Sequence, residues 1–406
     1  MSSSLPVRPL RTLLAAPMLA ASLALSLTLS ACGGDSDAPR PTHAAQAQAA
    51  AASGVANGFV GAGVGLVTAT SADTATAGVA RIDTSTPAAS DTMFAIGSNT
   101  KAMTAVVAAR LVERGVLRWD SRVVEVLPEL QATMLPAYAN DTLEQLLDHK
   151  GGLRAYTENA DLLTFAAYVQ DATGPLPTDE TGRRLYFVQF ALTQSPPDGV
   201  VPGTTFSYSN AGYALAAAML ERATGQSYEA LFDAEVTQPL GIAGVWGAPD
   251  RAGATQPHGY WGAPGHFTPD TPLDADTQAW FDVINPAGGF ACTPATYAKW
   301  LQWHLRALAG PSTPLPAGYV QRLKALATGG YAVGWLAADV GDRVVLAHDG
   351  ALNGFVAEAV VDVSGNAASF VMTNTSDLDT TTTDSWVIAE LNALVLGLEA
   401  DGQPTH

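Results

Sequence analysis

The sequence predicts an α+β fold: an antiparallel sheet built from both chain ends and flanked by helices, with a mostly helical subdomain inserted between its halves. Three observations carry this expectation. Runs at residues 63–70 and 77–82 read as strands joined by a polar turn. The middle of the chain holds apolar residues at helical spacing. From residue 331 onward the character changes to short apolar runs at 331–337, 343–347, 355–363 and 368–374, separated by Gly and Asp turns. One globular unit then covers 58–398, with its sheet part in 58–115 and 285–398 and its helical part in 116–284.

The segment before that unit carries an address. Arg8 and Arg11 precede an apolar run over 13–29, which ends in Leu29-Ser30-Ala31-Cys32. A basic start, an apolar stretch and small residues before a cut describe an export signal over 1–31. A cysteine directly after Leu-Ser-Ala resembles the lipobox of bacterial lipoproteins, in which Cys32 is lipidated and becomes the first mature residue. An ordinary signal peptide with an incidental cysteine stays open, as does an uncleaved anchor, although the run is borderline for a span and contains Pro17. Lipidation would hold the protein on a membrane of the cell envelope, outside the cytoplasm. Residues 32–57, rich in Ala and Gln after Asp35, Asp37, Pro39 and Pro41, show no sustained apolar face and read as a tether.

Within the unit, 99–113 reads as a helix, with Met103, Val106, Val107, Ala109 and Leu111 at helical spacing and Gly115 beyond its end. A second helix opens at 142–147, where Asp141 and Glu144 suggest a capping box. Residues 211–223, 228–236 and 296–308 read as helices too, and 386–398 as an apolar closing helix. Hydrophobic residues make up 48% of the chain against 14% charged, enough apolar material for a sizeable core. The formal net charge of −18, from 38 acids and 20 bases, argues against nucleic acid as a partner. Cys292 is the only cysteine besides Cys32, so with Cys32 lipidated no intrachain disulfide can form, and Cys292 reads as buried and inert. The histidines show no metal-ligand spacing; His149 and His304 read as structural hydrogen-bond partners.

Three segments carry chemistry. In Ser98-Asn99-Thr100-Lys101 a serine opens the 99–113 helix, and Lys101 projects from the same face one turn on. A partly desolvated lysine has a lowered pKa and can take the serine proton. Pro202-Gly203 leads to Ser207-Tyr208-Ser209-Asn210, where the Tyr208 hydroxyl can move a proton and Asn210 can orient the lysine or bind substrate. His348-Asp349-Gly350-Ala351 follows the apolar run Val344-Val345-Leu346; a strand edge there can lend a backbone N–H to an oxyanion, and Gly350 permits close approach. Singly, each also fits a bland role: a surface Ser and Lys, a helix cap with a buried tyrosine, a turn between strands.

Together the three segments resemble the penicillin-recognising serine hydrolases, which include class C β-lactamases, D-alanyl-D-alanine carboxypeptidases, D-aminopeptidases and a group of bacterial carboxylesterases. Leu146-Leu147-Asp148-His149-Lys150-Gly151-Gly152-Leu153 is similar to a further segment of that family. Gln238-Pro239-Leu240-Gly241-Ile242, Pro286-Ala287-Gly288-Gly289-Phe290 and Gly334-Trp335 fall in the same order. The resemblance implies a β-lactamase/transpeptidase-like fold and an acyl-enzyme on Ser98. Lys101 and Tyr208 would share proton transfer, and Asn210, His348, Asp349 and Gly350 would line the site. The N–H groups of Ser98 and Ala351 would form the oxyanion hole. It implies no metal and no organic cofactor, and a small ester, amide or peptide substrate. Where relatives carry Lys-Thr-Gly or His-Thr-Gly-Thr, this chain has His348-Asp349-Gly350-Ala351, which puts a carboxylate in place of a hydroxyl. An anionic Asp349 facing the pocket would repel a substrate carboxylate. This ranks an esterase or broad amide/ester hydrolase ahead of a D,D-peptidase or a D-aminopeptidase, with a β-lactamase last. A lipoprotein that only binds wall peptides is the reading from another class; it does not require all of Ser98, Lys101, Tyr208 and Asn210.

Overall fold

The computed structural model describes residues 41–376 apart from 158, 311, 341 and 342. Cys32 and the helix expected over 386–398 lie outside the described residues.

The first described element departs from the expected tether. His43–Ala56 forms helix α1, capped by the Thr42 hydroxyl, which accepts from the Ala45 N–H. Ala47, Ala50, Ala51 and Gly54 make a buried stripe at helical spacing. Alanine is the best helix former and its methyl lets a helix lie close on a sheet, so a segment without large apolar residues still docks. A tether therefore extends no further than the residues before His43.

Eight strands form one antiparallel sheet from the two chain ends. Gly61–Val67 (β1), Ala72–Arg81 (β2) and Thr86–Pro87 (β3) come from the first. Tyr331–Ala332 (β4), Trp335–Val340 (β5), Arg343–Leu352 (β6), Phe355–Asp362 (β7) and Ala368–Thr373 (β8) come from the last. Their order is β3-β2-β1-β8-β7-β6-β5-β4, and the β1–β8 ladder, from Ala62 opposite Thr373 to Val67 opposite Ala368, joins the two ends. Side chains alternate across β1: Ala62, Val64 and Leu66 pack with α1, Val360 and Val371. The glycines between them face the other way, where a Cβ on Gly63 would sit 2.7 Å from Pro294. The run of glycines is a packing surface rather than a ligand loop.

Two expectations about strands change. Residues 331–337 form two strands because Val333 and Gly334 take φ of 47° and 85°, turning the chain against the backbone of Ala102. β6 runs on past residue 347 to Leu352 and carries His348–Ala351 as strand. The turn lies instead at Asn353-Gly354, both at positive φ, the two-residue geometry that matches strand twist.

On the second face of the sheet lie Thr100–Glu113 (α2) and a helix at Pro294–Ala309. α2 is buried on nearly all sides, Met103, Val106, Val107 and Leu111 included. Leu143–Leu147 (α3) is capped one residue later than expected: Thr142 and Gln145 form the reciprocal pair, not Asp141 and Glu144. Asn210–Thr224 (α4) starts at the Ser209 cap and stops at Gly225 in the left-handed conformation. The helix expected over 228–236 is α-helical only over Tyr228–Phe232 and widens to a π turn over Asp233–Thr237. Cys292 is a buried free thiol, and burial pushes its pKa up. His304 is buried, with Nδ1 on the Trp300 carbonyl and Nε2 on the Tyr319 hydroxyl, as a structural histidine should be.

Candidate active site

Ser98 lies in a tight turn, Gly97–Asn99, that leads into α2. Asn99 pins this turn: its Nδ2 donates to the carbonyls of Ile96 and Ala357, both at 3.0 Å, and its Oδ1 accepts from Tyr297 at 2.7 Å. Thr100 Oγ1 donates to the Gly97 carbonyl at 2.7 Å. The Ser98 turn is thereby anchored to β7 and to the helix at Pro294–Ala309. Asn99 was passed over in the sequence, although it follows Ser98 directly.

Lys101, one helical turn on, is fully buried, and its Nζ lies 2.9 Å from Ser98 Oγ. Nζ also donates to Asn210 Oδ1 at 2.8 Å and to the Ala287 carbonyl at 2.7 Å. These two oxygens can only accept, so a neutral amine spends both N–H bonds on them and its lone pair is left for the Ser98 proton. Burial pulls the Lys101 pKa well below the ordinary lysine value, against a smaller opposing pull from the Asp349 carboxylate. Desolvation and geometry together make Lys101 able to accept a proton from Ser98.

Tyr208 O–H donates to the same Ser98 Oγ at 2.7 Å. Burial and the charge of Asp349 hold its pKa well above the ordinary phenol range, outweighing the bond to Ser98. Tyr208 therefore rests as a phenol, with Lys101 Nζ 4.7 Å from its ring centroid. Asn210 is held by its own N–H to the Ala155 carbonyl at 2.8 Å and by Nδ2 to the Tyr156 carbonyl at 3.1 Å. That double hold fixes its Oδ1 on the lysine.

β6 closes the other side. β5 pairs with it only as far as Ala347, which leaves the edge from His348 to Leu352 open beside the serine turn. In a two-residue hairpin the pair flanking the turn is hydrogen-bonded and the next is not, so the Ala351 N–H faces away from β7 toward that edge. A Cβ on Gly97 would lie 2.4 Å from Ala351 N, and one on Gly350 would lie 2.7 Å from Ser98 N. Only glycines let the two backbones approach this closely, which lays the backbone of Gly97-Ser98 against that of Gly350-Ala351.

His348 is buried. Its Nδ1 meets the Asp349 carbonyl at 2.5 Å, an acceptor, so Nδ1 carries the proton, and Nε2 accepts from the Tyr331 hydroxyl at 3.1 Å. Burial lowers its pKa, and with both nitrogens occupied it orients the strand rather than carrying protons. Asp349 is exposed on the opposite face of β6, and its field acts on Lys101, Tyr208 and His348. The structure thus brings Ser98, Lys101, Tyr208 and Asn210 together and sets His348–Ala351 beside them. Besides Asn99, the Ala287 carbonyl and the Tyr331 hydroxyl escaped the sequence reading as site groups. Backbone acceptors carry no side-chain signature, and Tyr331 reaches the site only through the sheet.

Comparison with known proteins places the chain in a family. The family model described as Beta-lactamase matches residues 44–393. Esterase EstB of Burkholderia gladioli is 35% identical over 178 residues, covering 41% of this chain and 41% of that protein. An unguisins hydrolase, UngD, of Aspergillus violaceofuscus is 27% identical over 232 residues, covering 55% of this chain. The chain spans 38% of that hydrolase, so it matches about two-fifths of the length of either relative. In fold, the D-amino acid amidase from Ochrobactrum anthropi superposes with a TM-score of 0.66 at 21% identity, over 88% of this chain and 99% of the amidase.

Proposed function

The chain belongs to the beta-lactamase family, and from that premise we propose that it is a hydrolase that cleaves an ester or amide through an acyl group on Ser98. The observation that carries this reading is the double contact on one oxygen: Lys101 Nζ at 2.9 Å and Tyr208 OH at 2.7 Å from Ser98 Oγ. In acylation the Ser98 proton passes to Lys101 as Oγ bonds to the substrate carbonyl carbon. The carbonyl electrons move to oxygen, where the N–H groups of Ser98 and Ala351 receive the charge; one such donor is typically worth about 3 kcal/mol. The bond to the leaving group then breaks, and the proton held by Lys101 returns to that group by way of Tyr208. Water repeats the sequence in reverse: its proton goes to the base, its oxygen bonds to the acyl carbon, and Ser98 Oγ leaves with a proton.

Asp349 supports a neutral or cationic acyl substrate over one with a carboxylate near the scissile bond. It shares its face of β6 with Ala351, two residues on, and its charge reaches the buried catalytic groups. Coulomb repulsion between two carboxylates in a partly solvated site is on the order of 1–2 kcal/mol. Asp349→Thr is therefore expected to raise kcat/KM on a chromogenic cephalosporin or a D-Ala-D-Ala peptide about tenfold relative to a neutral ester. An unchanged ratio between the two substrate types would remove the charge from the specificity reading.

Envelope anchoring through Cys32 is a separate proposal, supported by the sequence before the globular unit. Full-length protein expressed in a bacterium is expected in the membrane fraction, released by detergent, with Cys32→Ser shifted to the soluble fraction. Equal partition of the two would end it.

A further inference from the structure

We propose that His149 is a positioning residue for this reaction, fixing the Tyr208 phenol on Ser98 by holding the N–H groups of the two residues that flank Tyr208. The Ser207 N–H donates to the His149 carbonyl at 2.7 Å, and the Ser209 N–H donates to His149 Nδ1 at 3.1 Å. The N–H groups of the residue before the tyrosine and of the residue after it thus end on one residue. The imidazole also lies against the phenol, with ring centroids 4.2 Å apart and planes at 40°.

Two features mark the arrangement as held for a purpose. His149 takes φ of 56°, a left-handed conformation that costs a non-glycine residue and persists only where its surroundings impose it. Its Nε2 is buried with no hydrogen-bond partner among the described residues. Because Nδ1 accepts from Ser209, the proton must sit on that unpartnered Nε2, so a single neutral tautomer is enforced. Burial holds the His149 pKa well below the ordinary histidine value and keeps the ring neutral. With Nδ1 occupied and Nε2 protonated the imidazole has no free acceptor and cannot relay the serine proton. It acts through Tyr208, whose hydroxyl must stay within hydrogen-bond reach of Ser98.

The inference rests on the acyl-serine reading, whose own failure would show separately, as a Ser98→Ala variant with undiminished turnover. Its test uses the full chain, 4-nitrophenyl acetate, and the variants His149→Gly and His149→Asn. Glycine and asparagine both tolerate the left-handed backbone, but only asparagine keeps an acceptor where Nδ1 stood. His149→Gly is expected to lower kcat about 100-fold while KM moves less than about threefold, and His149→Asn to recover at least about tenfold of the loss. In a Tyr208→Phe background the loss from either substitution should shrink to less than about threefold, because the hydroxyl being positioned is gone. Equal losses in the two variants, or a loss that persists undiminished beside Tyr208→Phe, would overturn the proposal. Should the glycine variant not fold, the asparagine variant decides on the background comparison alone.

Discussion

Replacing Ser98 by alanine is expected to lower kcat on a neutral ester by about a million-fold and to abolish covalent labelling by a fluorophosphonate. Ser98 Oγ is the atom on which both Lys101 and Tyr208 converge, so its loss removes the bond-forming atom and the origin of the transferred proton together. What remains is the oxyanion hole and substrate binding, which by themselves sustain roughly 10³-fold catalysis over water in serine enzymes. The fold should survive. Ser98 is partly exposed, the turn is held by Asn99 and Thr100, and thermal unfolding should shift by no more than a change of about 1 kcal/mol implies. Retained turnover in the folded variant, or labelling at another residue, would take Ser98 out of the chemistry.

Lys101→Met carries the second large effect, a fall in kcat of about 10³–10⁴-fold, the upper range for loss of a general base. Methionine matches the length of the stem but leaves Asn210 Oδ1 and the Ala287 carbonyl without their donor. The melting temperature should therefore be measured beside the rate. The pH profile supplies an independent check. The amine must be neutral to accept the Ser98 proton, so kcat/KM should rise with pH through the depressed pKa of Lys101. Asp349 favours the ammonium, so Asp349→Asn should move this acid limb to lower pH. Stability follows the same group. Between the depressed folded pKa and the ordinary lysine value the unfolded chain binds the extra proton, so stability rises with pH across that window. Lys101→Met should flatten that rise. An acid limb that stays in place in Asp349→Asn would detach it from Lys101.

Much of this was legible without coordinates because it is local or periodic. Helical spacing marked α2 and α4, and the Gly and Asp turns marked the strands that became β6 to β8. The pair Ser98 and Lys101 could be read as one face because a helical turn separates them. Where reading failed, the deciding cause was packing that a local pattern does not report. The 43–56 segment hid its helix because its buried face is alanine rather than large apolar residues. The break at Val333-Gly334 comes from backbone packed against Ala102, which no periodicity reports.

By itself, then, the sequence determined an α+β chain with its sheet drawn from both ends, and named Ser98, Lys101, Tyr208 and Asn210 as the groups to bring together. Only the tertiary structure decided that they meet: that a phenol 110 positions from Ser98 touches it, that Lys101 Nζ lies within hydrogen-bond reach of that hydroxyl, and that His149 holds the N–H groups of Ser207 and Ser209. The reason is physical. Propensity and spacing act over a few residues, whereas the desolvation that lowers the Lys101 pKa and the carbonyls that orient its amine come from segments that become neighbours only on folding.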